Sequence, residues 1–191
     1  MKPSRPSERI HHPLCVARRS AFLGRLSRDL IGEAPTAAEL EAYAGDVDPQ
    51  KCEKAIERLL GDERYGRAWA AYFRDAWMGD PAKVRFTQLA HFPEGAEEPR
   101  VRELERALVQ SINKDRPWTE LLRNLIEARG TTEGDPWMSY KLSFLRGPSF
   151  PQAFGEGVAR QLLGIRLACA RCHDHPFEQW TVPQYYGMAT F

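Results

Sequence analysis

The chain has 191 residues, of which 42% are hydrophobic and 28% are charged. These proportions are ordinary for a globular protein, and this length is enough to bury a sizeable core. The formal net charge of +1 at pH 7 gives no reason to expect a nucleic-acid partner, and no apolar stretch is long enough for a membrane-spanning helix.

Residues 1–19 form a basic segment rich in proline and serine, in which five basic residues accompany one acidic residue. Such a composition is typical of a solvated, disordered leader, which we favour over a nucleic-acid or lipid-binding arm. The segment lacks the apolar core of a secretory signal. Residues 20–191 are expected to form a single helical domain.

The first part of that domain has apolar residues at helical spacing between recognisable start and stop signals. Four helices are predicted, opened by Ser20, by the capping-box pair Thr36 and Glu39, by Asp48-Pro49, and by Asp62. Cys52 falls on the apolar side of the third helix, so we expect a buried thiol rather than part of a disulfide scaffold.

The fourth helix carries an aromatic stripe, which we interpret as core, with a cofactor wall as the alternative; its members are Trp69, Tyr72, Phe73, Ala76 and Trp77. Residues 79–99 lose all periodicity and are predicted to be a long surface loop. His91 lies in this loop, where it could reach a metal.

In the second half of the sequence, apolar residues at helical spacing predict two further helices, around Val101–Ile112 and Leu121–Ile126. A second long loop is predicted over residues 131–151. A clear helix follows through Phe154 and Ile165, and we expect it to deliver two cysteines at its end, with Gly164 allowing a close approach. A last short helix begins at Thr181. Because no alternating strand pattern occurs, the fold class is predicted to be all-α: an irregular bundle of about six to eight short helices joined by two long loops.

The most distinctive stretch is Cys169-Ala170-Arg171-Cys172-His173, which we call the CxxCH motif, followed by Asp174-His175-Pro176-Phe177. Two thiols three positions apart with a histidine after the second form the attachment pattern of c-type haem. The same residues also fit a zinc site or a redox dithiol, so spacing alone leaves three alternatives.

Several separate segments of the chain resemble one family, the planctomycete-type cytochrome-associated domain of unknown function. It is the second, CxxCH-containing domain of planctomycete cytochrome-c-like proteins. The resemblance extends from Phe22 to Phe191, and the segments that carry it are Phe22-Leu23, Asp29 to Gly32, Pro35-Thr36, Arg64 to Gly66 with Trp69, Asn113 to Trp118, and Leu163 to Ala189.

The resemblance implies a haem-binding, electron-transfer-associated module of an exported multidomain protein, with a redox partner or neighbouring domains as partners. The sequence has no Gly-rich phosphate loop, serine-elbow pattern or paired carboxylates placed for hydrolysis, so a non-enzymatic role is predicted. An attached haem would place the protein in the periplasm or another export compartment. If the chain is complete as given, the lack of a visible signal peptide predicts a cytoplasmic protein. We expect a fragment, a truncated product or a stand-alone copy of the family.

If haem binds, Cys169 and Cys172 would form the thioethers and His173 would be the proximal iron ligand. His175 would hydrogen-bond near the site, and Asp174 would orient an imidazole. The distal ligand is expected from a short set of candidates, in the order Met188, Met78, Met138 and His91. The tail aromatics would either pack on the ring or form a small core; they are Phe177, Trp180, Tyr185 and Tyr186.

If zinc binds instead, Cys169, Cys172, His173 and His175 would supply two sulfur and two nitrogen ligands. This alternative predicts a structural zinc-binding or protein-interaction domain. In the third alternative, a redox dithiol, one thiol would attack a disulfide with His173 beside it.

Overall fold

The structure, a computed structural model, describes residues 19–78, 97–144 and 150–190. Over these ranges the chain forms nine α-helices and one 3-10 helix, and it contains no strand. The predicted all-α class is therefore confirmed. Residues 1–18 of the predicted leader and residues 79–96 of the first predicted loop lie outside the described residues.

The helices follow one another closely along the described chain. In order they are α1 (Arg19–Ile31), α2 (Ala37–Gly45), α3 (Lys51–Leu60), α4 (Glu63–Met78), α5 (Glu97–Asn113), α6 (Trp118–Glu127), α7 (Met138–Leu142), α8 (Phe150–Leu162), the 3-10 helix (Leu167–Arg171) and α9 (Val182–Ala189).

Local signals in the sequence account for several helix ends. The predicted capping box is present, because Glu39 N–H donates to Thr36 Oγ1 at 3.2 Å while Thr36 N–H donates to Glu39 Oε2 at 2.8 Å. Asp62 Oδ1 accepts from Arg64 N–H at 2.9 Å at the start of α4. Helix α1 ends before Gly32, which has a positive φ of 72° that glycine adopts readily.

The described chain divides into two compact units. The first contains residues 19–72 and 108–117, and the second contains residues 73–78, 97–107, 118–144 and 150–190. The predicted single domain over 20–191 stays a prediction.

The first unit has a buried core contributed by α1, α2 and α3, made of Leu23, Ile31, Tyr43, Cys52, Ala55 and Leu59. Cys52 is 7% exposed, as its place on the apolar side of α3 predicted. Our expectation that it would not belong to a disulfide was wrong, because its sulfur is disulfide-bonded. Burial on an apolar helix face does not distinguish a thiol from a half-cystine, so the helical pattern alone could not have shown this bond.

The second unit is built around a cluster of aromatic rings. Trp77 is buried and stacks on Phe73, with ring centroids 5.1 Å apart, and it meets the fully buried Tyr140 edge-on at 6.1 Å. The core interpretation of the α4 stripe therefore holds for Trp77. Tyr72 departs from it, since 60% of this residue is exposed.

The second predicted loop is interrupted by helix α7, which occupies Met138–Leu142. Asp135 forms a turn just before this helix, because its Oδ1 accepts from the N–H of the N-cap residue Trp137 at 3.0 Å. A helix of five residues is too short to give a periodic pattern, so the sequence did not predict it.

Helix α8 ends earlier than predicted, at Leu162, and does not carry the cysteines. Gly164 has a φ of 71°, and Ile165 N–H donates to Ala159 O at 2.9 Å, and together they form the turn that ends the helix. A Cβ at Gly164 would meet nothing within 4 Å. This glycine therefore serves the turn, and no other described backbone approaches it. The predicted approach of a flat ligand to Gly164 stays a prediction.

Candidate functional site

The CxxCH motif begins on a separate 3-10 helix that follows this turn. Cys169 to Arg171 are its last three residues, Cys172 is its C-cap, and His173 comes after it. Residues three apart share a side of a 3-10 helix, and Leu167 and Ala170 form the buried side against Tyr185. Cys169 and Cys172, which are also three positions apart, do not belong to this buried side. Both are exposed free thiols.

His173 follows the second cysteine and is exposed. Its Nδ1 lies 2.8 Å from the backbone carbonyl oxygen of Asp174. Because a carbonyl oxygen only accepts hydrogen bonds, Nδ1 carries the proton and donates. In the neutral ring this arrangement puts the lone pair on the other nitrogen, Nε2, where a metal could bind it.

His175 has the opposite tautomer. Its Nδ1 accepts hydrogen bonds from Glu178 N–H at 3.0 Å and from Phe177 N–H at 3.3 Å, so that nitrogen is unprotonated and its lone pair is in use. The proton of the neutral ring is therefore on Nε2. The backbone N–H of His175 also donates to Trp180 O at 2.8 Å, which closes the loop after the motif.

The four ligands of the zinc alternative do not converge. Within the described ranges, no three His, Cys, Asp or Glu side chains form a group that could hold a metal ion. Cys169, Cys172 and His173 are close in sequence but do not form such a group either, and the Nδ1 of His175 faces the backbone of its own loop.

Asp174 does two separate tasks, one with its backbone and one with its side chain. Its carbonyl oxygen orients the imidazole of His173, which fulfils the expected role through a different atom. Its carboxylate Oδ1 instead accepts from Val182 N–H at 3.0 Å, at the start of α9. This hydrogen bond connects the residue that follows the motif to the last helix.

Glu156 on α8 is a site residue that the sequence reasoning missed. Its Oε1 accepts from Tyr185 Oη at 2.7 Å and lies 3.9 Å from Nη1 of Arg171, which stands between the two cysteines. The pKa of Arg171 is raised, first by a hydrogen bond with the Cys172 side chain and then by the Glu156 carboxylate. Burial is the main cause that raises the pKa of Tyr185, and its hydrogen bond to Glu156 raises this pKa further. No local pattern marks Glu156, because its partners lie far along the chain.

Cys169 borders a cleft of about 790 Å³ within the second unit. The cleft, which we call the Cys169 cleft, has the apolar side chains of Trp77 and Met78 and the cationic side chains of Arg160 and Arg166 in its wall.

The three described distal-ligand candidates lie in different surroundings. Met78 is buried and lines the Cys169 cleft, whereas Met188 lines a separate cavity of about 180 Å³ beside Phe154. Met138 is half-buried at the start of α7. His91 lies outside the described residues.

The aromatic tail after the motif is divided between core and solvent. Tyr185 is buried and Trp180 packs against the same cluster, as the small-core interpretation predicted. Tyr186 is 47% exposed and Phe177 is 93% exposed, so neither belongs to that core.

One known protein family matches almost the whole sequence. The family model PSCyt2, described as a protein of unknown function (DUF1549), matches residues 6–191. The chain belongs to the PSCyt2 family. No curated protein matches this PSCyt2 chain, and no solved structure matches it. Among the helices that the structure describes, none is long and apolar enough to cross a membrane.

The donors of this PSCyt2 chain fit the c-type haem that the motif implies. Two free, exposed thiols lie three positions apart, and the next residue, His173, donates from Nδ1 to a carbonyl, which leaves Nε2 of the neutral ring for iron. An apolar and cationic cleft lies beside Cys169, which suits a flat apolar ring with carboxylate substituents.

Proposed function

We propose that this domain binds a c-type haem covalently through Cys169 and Cys172, with His173 as the proximal iron ligand, and takes part in electron transfer. In this proposal it is the second, CxxCH-containing domain of a planctomycete cytochrome-c-like protein. The observation that carries the proposal is the hydrogen bond of His173: its Nδ1–H donates to the Asp174 carbonyl, and this residue directly follows two exposed free thiols three positions apart.

The bound haem would supply one-electron oxidation and reduction. The chain would contribute two thioether anchors and an imidazole whose orientation is fixed before the cofactor arrives. Trp77 in the Cys169 cleft would exclude water from the ring, and Arg160 and Arg166 would pair with its carboxylates.

Attachment in an oxidising export compartment is part of the proposal. The disulfide at Cys52 supports it, because structural disulfides persist in such compartments and are rare in the cytosol. The expected partners are a redox protein or the neighbouring domains of a larger exported protein.

The distal ligand is proposed to be a methionine. Met188 is the first candidate from the sequence, and Met78 gains support because it lines the same cleft as Cys169. Met188→Leu and Met78→Leu each keep the side-chain volume and remove the sulfur, so comparing the two variants shows which methionine is the distal ligand. The substitution that removes the ligand should lower the reduction potential of the haem, and the other should leave it unchanged.

The deciding experiment expresses the full chain behind an export signal in a host that attaches c-type haem. We expect a mass increase of one haem, a c-type absorption spectrum and the loss of two reagent-accessible thiols per loaded chain. The control is Cys169→Ala with Cys172→Ala, which should carry no covalent haem. A colourless protein with stoichiometric zinc would support the zinc alternative and overturn the proposal. A protein with neither cofactor and two reactive thiols would overturn it in favour of dithiol chemistry.

A further inference from the structure

We infer that His175 is a positioning residue and not a ligand: its Nδ1 holds the turn at residues 175–178, and this turn fixes the backbone that orients His173. The motif then supplies one iron ligand, His173, and two haem-attachment residues, Cys169 and Cys172. The part of this inference that concerns the cofactor rests on the proposed function, whereas the part that concerns the turn does not.

The hydrogen bonds of His175 reproduce those of an aspartate or asparagine at the start of a turn. Such side chains accept from backbone N–H groups two and three residues further on. The Nδ1 of His175 accepts from Phe177 N–H and Glu178 N–H, which are the second and third residues after it.

Metal binding by His175 is incompatible with this arrangement. A ligating Nε2 would require the proton of the neutral ring to lie on Nδ1, where it would face two backbone N–H donors. Ligation through Nδ1 would leave both N–H groups without their acceptor. His173 has the complementary arrangement, since its Nδ1 already carries the proton and faces a carbonyl.

The hydrogen bonds of this turn are the first of three contacts that hold the loop between the motif and α9. The second is His175 N–H to Trp180 O at 2.8 Å, and the third is Asp174 Oδ1 to Val182 N–H at 3.0 Å. Because Asp174 lies between the two histidines, fixing this loop also fixes the carbonyl to which His173 donates. His175 therefore acts on the site through Asp174.

The first arm of the test uses the cofactor-free full chain and measures amide hydrogen exchange by NMR. His175→Ala should speed exchange of the Phe177 and Glu178 amides by about tenfold, the effect of losing one hydrogen bond. His175→Asn should keep their protection, because Asn Oδ1 takes the place of Nδ1. His173→Ala is the matched control and should not change exchange at these two amides.

The second arm compares the same variants after haem attachment. His175→Asn should keep the wild-type spectrum and reduction potential, whereas His173→Ala should lose the spectrum of a histidine-ligated haem. A ligand role for His175 is established instead if the Asn variant loses the spectrum as His173→Ala does. Unchanged amide exchange in His175→Ala would overturn the inference even if haem binds. Failure of every variant, wild type included, to take up haem would overturn the proposed function and leave the exchange result standing.

Discussion

At the scale of single residues, Gly155 decides how closely α8 and α9 pack. A Cβ built at Gly155 would lie 3.2 Å from Ala189 Cα and 3.2 Å from Met188 O, both on the backbone of α9. Backbone atoms give way less easily than the tip of a flexible side chain. The absence of a side chain at Gly155 therefore allows α9, which continues from the CxxCH loop, to rest against α8.

Gly155→Ala should lower the free energy of unfolding by about 1–2 kcal/mol, because overpacking outweighs the better helix propensity of alanine. Gly187→Ala is the matched control on α9, where a Cβ would meet nothing within 4 Å. That change should stabilise the protein by about 0.5–1 kcal/mol. Urea unfolding measures both, and equal stabilisation by the two substitutions would contradict the role assigned to Gly155.

At the scale of elements, charged side chains join the ends of several helices in the first unit. Arg64 on α4 lies 2.7 Å from Asp62, 3.2 Å from Glu33 and 3.5 Å from Glu39. Arg58 on α3 lies 3.0 Å from the same Glu39 carboxylate. Glu39 thus serves both the capping box of α2 and an ion-pair network with α3 and α4.

These contacts lower the pKa of Glu39 from 4.5 to about 2, first through the backbone hydrogen bond from Thr36 and then through Arg58. The folded-state pKa is depressed, so the stabilisation is complete above pH 4.5 and is lost as the pH falls toward about 2. Glu39→Gln keeps the cap acceptor but cannot titrate. We expect its unfolding midpoint to fall less steeply with pH across this window than that of the wild type.

Thermal unfolding followed by circular dichroism at a series of pH values measures this slope. Glu41→Gln is the matched control on α2, because Glu41 is exposed and makes none of these contacts. It should keep the wild-type slope. A wild-type slope in Glu39→Gln as well would show that the Glu39 contacts do not contribute to acid sensitivity.

At the scale of the whole molecule, the two described hydrophobic clusters contain none of the side chains that would bind a cofactor. The first unit packs around residues such as Leu23 and Leu59, and the second places Leu167 and Ala170 against Tyr185. Cys169, Cys172 and His173 are exposed and belong to neither cluster. Folding should therefore not require a cofactor.

Cys169→Ala with Cys172→Ala should change the free energy of unfolding by less than about 0.5 kcal/mol, as exposed substitutions usually do. Leu167→Ala on the buried side of the same turn is the contrasting variant and should cost about 2–5 kcal/mol. A chelator should leave the Tm of the wild type unchanged. A chelator-dependent fall in Tm, or unfolding of the double variant, would instead indicate a structural metal.

The sequence by itself determined what depends on near neighbours along the chain. The Thr36 and Glu39 cap, the Asp62 start signal and the apolar stripes of the helices were predictable, since their partners lie within a few residues. Family membership also followed from patterns spread along the whole chain.

Only the tertiary structure decided how the candidate site is held. Glu156 contacts Tyr185, 29 residues away, and no local pattern marks either as a partner of the other. The two histidines of the motif region are the same residue type two positions apart, yet His173 faces a carbonyl and His175 faces two N–H groups. The atom that each ring nitrogen meets sets its tautomer, and that atom is placed by the folded backbone, which residue type and spacing do not specify.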